Sequence, residues 1–259
     1  MFLVDSHCHI DKFHYNEIVD YNLKNLVLNA ELNNVKLLLT VCTRLNYFHE
    51  LININKSYNN ILISCGVHPL FIDSNYNYHK LLDLSLNNNV IAIGETGLDF
   101  FYETDLIKKN IQKKVFIDHI LIAEKLNKPI IIHTRNSFQD IVNILNNYNK
   151  LSGVFHCFNE DIRCASLALD IGFYISFSGI LTFKNAKVIR ETLKYVPLNK
   201  LLLETDSPYL TPEPYRGTYN QPAYLKNIIE CVSIIKNISL KKLSNILLNN
   251  FLQLFKINI

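Results

Sequence analysis

Short apolar runs alternate along the chain with longer stretches in which apolar and polar residues recur at helical spacing. The runs cover residues 2–5, 35–41, 61–65, 90–94, 129–132, 153–155, 173–177 and 200–203. They are short and rich in β-branched or aromatic residues, which predicts strands buried on both faces, as in a parallel sheet. Between them, residues 106–126 place Ile107, Ile111, Val115, Ile122 and Leu126 at helical spacing beside Lys108, Lys109, Lys113 and Lys114, the pattern of an amphipathic helix. About eight such strand–helix units in roughly 250 residues is what a TIM (β/α)8 barrel requires. A doubly wound open sheet is the alternative, but no Gly-rich phosphate loop follows the first run. No Pro/Ser-rich linker or charge block interrupts the pattern, so residues 1–259 read as a single barrel domain.

Composition changes this picture in three ways. With 49% hydrophobic residues the chain has ample material for one large core. A formal net charge of +3 is too mild for a broad basic nucleic-acid surface, so any such role must come from a local site. The apolar runs fall far short of the roughly 20 residues of a membrane helix. The N-terminus has no basic leader, and the six Cys form no CxxC pair. These features predict a cytoplasmic protein with reduced thiols, no membrane contact and no obligate protein partner. Asn, Ile, Leu and Lys are abundant while Gly, Arg and Met are scarce, which reads as pressure from an AT-rich genome. The runs Asn87-Asn88-Asn89 and Asn146-Asn147 fall where surface helices should end.

Candidate chemistry collects at the ends of the predicted strands, which a barrel brings to one face. Five of the nine His residues lie there: His7, His9, His68, His133 and His156. In a strand, residues i and i+2 point the same way, so His7 and His9 can share the barrel mouth while Cys8 faces outward. With His133, His156, Glu95 and Asp206 they make six candidate metal ligands, too many for one ion and suited to two divalent cations. Glu95 offers one oxygen to each ion, and Gly94 and Gly97 let the backbone turn tightly beside it. Asp206 can ligate and also act as general base, or else cap the segment that follows. Mg, Mn, Zn and Ni all remain open. Glu204, Asp5, Asp11 and Asp99 are candidates to orient the imidazoles, or are turn and cap residues. His14, His49, His79 and His119 read as ordinary surface or partly buried histidines.

The motifs Val4-Asp5-Ser6-His7-Cys8-His9-Ile10-Asp11, Cys65-Gly66-Val67-His68-Pro69, Ile93-Gly94-Glu95-Thr96-Gly97-Leu98-Asp99, Ile132-His133-Thr134-Arg135, Phe155-His156-Cys157-Phe158 and Leu203-Glu204-Thr205-Asp206-Ser207-Pro208-Tyr209-Leu210 resemble the TatD family of metal-dependent hydrolases. The resemblance spans the whole chain, and residues 173–179 and 195–198 look like its YcfH branch. It implies a barrel with two divalent metals that hydrolyses DNA phosphodiester bonds, as a deoxyribonuclease of 3′-5′ exonuclease type acting on short single-stranded ends. Carried over residue by residue, it gives His7, His9, Glu95 and Asp206 to the first ion and Glu95, His133 and His156 to the second. Asn136-Ser137 and Thr218-Tyr219 depart from the family pattern outside this set. For a phosphodiester substrate, Asp206 takes a proton from the attacking water, and His68 and Arg135 are the expected phosphate contacts. Their alternatives are structural: His68 fixes a turn and Arg135 pairs with a nearby carboxylate such as Asp99. A rival activity is amidohydrolase-like cleavage of a C–N or ester bond in a small molecule, for which the same ligands would activate water.

Overall fold

The computed structural model describes residues 1–12 and 22–258; His14 lies outside them. Eight parallel strands follow one another in chain order: β1 Leu3–Cys8, β2 Val35–Thr40, β3 Ile61–Cys65, β4 Val90–Asp99, β5 Ile130–Arg135, β6 Gly153–Phe155, β7 Tyr174–Phe177 and β8 Leu201–Leu203. Sequential order excludes the doubly wound sheet, whose strand order reverses at a switch point. The seam between β8 and β1 closes through bonds at and beyond the strand ends. Ser6 Oγ donates to the Leu203 carbonyl at 2.9 Å, the Asp206 N–H to His7 at 2.9 Å and the His9 N–H to Ser207 at 2.8 Å. The architecture is a TIM barrel.

Strand alternation divides the buried residues into two cores. Leu37, Leu39 and Val41 share the inner cluster with Val4, Ala92, Ile131, Val154 and Leu202, and Phe251, Leu254 and Phe255 pack into the same cluster. These three residues belong to α9 (Leu240–Phe255), which plugs the end of the barrel away from the mouth. Leu38, Ile63, Ile93, Ile132 and Ile175 join the outer cluster with apolar residues of the helices. The remaining helices are α1 Leu23–Leu32, α2 Phe48–Ser57, α3 Tyr78–Ser85, α4 Leu106–Leu126, α5 Phe138–Leu145, α6 Ile162–Asp170, α7 Lys187–Tyr195 and α8 Leu225–Lys236. Among the described residues, no helix is long and apolar enough to cross a membrane.

α4 has the expected bounds, capped by the Asp105 side chain on the Lys108 N–H at one end and by left-handed Asn127 at the other. Its packed face differs from the expectation. Gln112, Val115, Phe116, His119, Ile120, Ile122 and Ala123 are buried, whereas Ile107 is 73% exposed. α3 and α5 end just before the Asn runs, as expected. Asn also takes left-handed positions that Gly would normally fill, with φ of 51° to 65° at Asn34, Asn127, Asn136 and Asn237.

Three strands run further toward the mouth than their apolar runs: β1 to Cys8, β4 to Asp99 and β5 to Arg135. Polar site residues end the hydrophobic signal there while the backbone ladder continues. β4 reaches this length with an irregular register between Ile93 and Thr96; Gly94 within that stretch and Gly97 just after it adopt φ near +138° and +139°. A Cβ on Gly97 would collide with the backbone carbonyl of His133, so glycine is what lets β4 and β5 approach beside the site.

Candidate metal centre

The extended strand ends and the loops after them converge on a cavity of about 530 Å³. His7 lies in β1 and His9 follows it, Glu95 lies in β4 and His133 in β5, while His156 and Asp206 follow β6 and β8. Cys8 points into the outer core, as alternation requires. His7 Nε2 and His9 Nε2 are 3.1 Å apart. Glu95 Oε2 lies 3.5 and 3.6 Å from them, and Asp206 Oδ1 lies 3.8 and 3.4 Å from them. Four donors at about 2.0–2.1 Å from one ion stand roughly 3.4 Å apart in a tetrahedron, so this set fits a divalent cation in both donor type and spacing.

The other oxygen of Glu95 faces a second set. Oε1 is 2.9 Å from His156 Nε2, 3.1 Å from His133 Nδ1 and 3.5 Å from His68 Nε2. All six sequence-derived ligand candidates are thus brought together, with Glu95 between two groups of imidazoles.

The outer nitrogens assign most of the imidazole protons. His9 Nδ1 donates to the Val41 carbonyl at 3.2 Å, which leaves the Nε2 lone pair facing the cavity. His133 Nε2 donates to Asp99 Oδ2 at 3.1 Å, leaving Nδ1 for the cavity, and His156 Nδ1 sits 3.4 Å from Glu204 Oε1. Metal-binding imidazoles are held in the way His9 and His133 are. His7 Nδ1, His156 Nδ1 and Glu204 Oε2 are buried without a hydrogen-bond partner among the described residues, so His156 and Glu204 form a charge contact and not a hydrogen bond. His68 is wired the opposite way. Its Nδ1 accepts the Leu70 N–H at 3.1 Å, so a neutral ring carries its proton on Nε2, toward Glu95. It fixes the turn and also aims a donor toward Glu95 in the cavity, and the lone pair a metal would need is already engaged.

Charge in the site follows from burial set against close partners. Burial alone would raise the Glu95 carboxyl, but the neighbouring imidazoles, His156 foremost, hold it well below the usual range. Burial works against protonated His9, yet the hydrogen bond it donates to Asp206 and the charge of Glu95 push it up to about 9. His156 and His133 also rise against the cost of burial, through Glu95 with Glu204 in one case and Asp99 with Glu95 in the other. Burial wins at His7, which is lowered, and at His68, which falls to about 3 and is therefore neutral near pH 7. A divalent cation competes with the protons on His9, His133 and His156, so its binding strengthens as pH rises.

Several nearby expectations are corrected or resolved. Arg135 does not pair with Asp99; its guanidinium carbon lies 4.2 Å from the Phe101 ring centre and 4.6 Å from that of Tyr102, at the cavity rim. Asp99 instead accepts the Phe101 and Tyr102 N–H groups with Oδ1 and holds His133 with Oδ2. Asp5 accepts from the His7 backbone N–H and, across the barrel seam, from the Thr205 N–H and hydroxyl, while Asp11 pairs with Lys12. Asp206 is no cap: its backbone is left-handed, φ +54°, and turns the carboxylate toward His7 and His9. Asn136 is exposed at a left-handed turn and Ser137 is buried, donating to the Leu98 carbonyl at 2.7 Å, so this departure serves the β4–β5 corner. His119, read as an ordinary histidine, is fully buried in α4. Its Nδ1 donates to the Val115 carbonyl and its Nε2 accepts the Val67 N–H at 3.0 Å, one residue before His68. Helical periodicity carries no signal for that long-range bond.

Residues 4–256 match the family model described as TatD related DNase. A metal-dependent hydrolase of Buchnera aphidicola subsp. Acyrthosiphon pisum is 46% identical over 267 residues, covering 99% of this chain and 100% of that protein. The metal-dependent hydrolase YcfH of Escherichia coli K12 is 42% identical over 260 residues, covering 100% of this chain and 97% of that protein. The crystal structure of YjjV, a TatD homologue from Escherichia coli K12, superposes with a TM-score of 0.91 at 23% identity, covering 99% and 98% of the two chains. The chain belongs to the TatD family of metal-dependent hydrolases.

Proposed function

We propose that the protein is a two-metal deoxyribonuclease that hydrolyses phosphodiester bonds at short single-stranded DNA ends. The observation that carries this reading is the division of Glu95: Oε2 faces His7 and His9, and Oε1 faces His133 and His156. His7, His9, Glu95 and Asp206 would hold one cation, and Glu95, His133 and His156 the other. Such ions supply Lewis-acid stabilisation of the reacting oxygens and make water acidic enough to attack at neutral pH. Asp206, with Oδ1 turned to the imidazoles, has its second oxygen left to take the proton of the attacking water. His68 donates from Nε2 to a nonbridging phosphate oxygen, a role its neutral state suits. Arg135, held against two aromatic rings, has no carboxylate partner within ion-pair distance among the described residues and is left to meet a phosphate. The six cysteines are free, which fits the reducing cytoplasm where we place the enzyme.

The test is turnover of a labelled single-stranded oligonucleotide with Mg²⁺, Mn²⁺, Zn²⁺ or Ni²⁺, alongside elemental analysis of the bound metal. The wild type should bind two ions and shorten the strand from its 3′ end. Glu95→Ala should lose bound metal and lower the rate by about 10³-fold or more, and Asp206→Ala should do likewise. Inertness on DNA together with hydrolysis of an amide or ester panel would replace this reading with the amidohydrolase one.

A further inference from the structure

Beside the metal centre lies a second, polar cleft of about 100 Å³, walled in part by Arg44, Tyr47, Phe71, Asp73, Tyr76 and Lys80. It adjoins the catalytic cavity through Phe71, which lines both. Two chain segments run through the pair. Thr43 and His68 line the larger cavity, their neighbours Arg44 and Val67 line the cleft, and the His68 N–H donates to the Thr43 carbonyl at 3.1 Å.

The cleft holds a fixed positive charge. The Arg44 guanidinium carbon sits 4.0 Å from the centre of the Phe71 ring, and that ring centre is 5.3 Å from the His68 imidazole. The guanidinium and the imidazole that faces Glu95 therefore contact the same aromatic ring. Lys80 Nζ is held by Asn46 Oδ1 at 3.2 Å. Asp73, the only carboxylate of the wall among the described residues, is engaged by the Asn75 N–H at 2.8 Å. Neither cation has a carboxylate within ion-pair distance among the described residues. Stacking restricts the guanidinium, so less freedom is lost when it binds an anion. The chain has five Arg against 21 Lys, and it spends one of those five on this position.

We propose that this cleft is a second phosphate subsite, in which Arg44 and Lys80 hold the phosphodiester adjacent to the one being cleaved on a single-stranded chain. The proposal rests on the nuclease reading above and deepens it. Affinity then comes from a few placed contacts, as a chain of net charge +3 requires, and the enzyme distinguishes a strand from an isolated phosphodiester.

The experiment compares a dinucleotide, which has one phosphodiester, with a trinucleotide, which has two. In the metal-loaded wild type, kcat/KM should favour the trinucleotide by about tenfold or more, as a charge-assisted contact implies. Arg44→Ala/Lys80→Ala should lose that preference with dinucleotide turnover unchanged, and Arg44→Lys should restore part of it. The salt dependence of trinucleotide KM should flatten in the double variant by about 0.7 in log–log slope, one single-strand phosphate contact. An unchanged preference and slope would overturn the subsite while leaving the nuclease intact. No wild-type turnover of either substrate would refute the nuclease reading and the subsite together.

Discussion

Replacing His119 with Leu should destabilise the protein at neutral pH and progressively less in acid. At pH 7.5 the neutral imidazole accepts the buried Val67 N–H, and Leu would leave that donor unpaired, at a cost of about 1–3 kcal/mol. The same burial lowers the His119 pKa from 6.5 to about 4, against the opposing bond to Val115. Between those values the unfolded chain binds a proton that the folded chain refuses. Stability from this residue is therefore fully present above pH 6.5 and is lost as pH falls toward 4. Linkage gives about 2 kcal/mol lost by pH 5 and about 3 kcal/mol by pH 4, a loss that the Leu variant does not share. The two proteins should converge near pH 5, and by pH 4 the Leu variant should be the more stable of the two. Urea unfolding followed by circular dichroism, in EDTA so that metal binding does not contribute, measures the gap at each pH. Other titrating groups are common to both chains and cancel in the difference. A gap that stays constant with pH, or widens in acid, would refute the assignment of His119 as a buried neutral acceptor.

Three further outcomes are expected. His68→Asn keeps a side-chain acceptor near the Leu70 N–H but removes the Nε2 donor, so activity should fall by about 10²-fold with bound metal unchanged; loss of metal would make His68 a ligand instead. Asp99→Asn should weaken metal affinity by about 10–100-fold in chelator competition, because His133 loses the carboxylate that orients it; unaltered affinity would remove Asp99 from that role. Gly97→Ala should cost about 3 kcal/mol, seen as a fall of about 6–12 °C in Tm, because its φ near +139° and the His133 carbonyl both exclude a Cβ; a melting point equal to the wild type would contradict that close approach.

The sequence by itself determined the eight strands, their order and the residue types of the candidate ligands. Apolar runs and helical periodicity are local signals, and i, i+2 alternation is enough to place His7 and His9 together with Cys8 turned away. Hydropathy ended β1, β4 and β5 early, because the polar residues that finish those strands are the site itself. Tertiary structure decided what depends on partners distant in the chain. It gave His133 its carboxylate from β4 and His9 its carbonyl from the loop after β2, and so directed their lone pairs into the cavity. It turned His68 into a donor through one backbone N–H, stacked Arg135 on rings instead of a carboxylate, and made His119 a buried support for the loop before His68. A residue's type states which bonds it can make, whereas the chain's path around the barrel selects which partner is within about 3 Å, and with it the proton that each imidazole keeps.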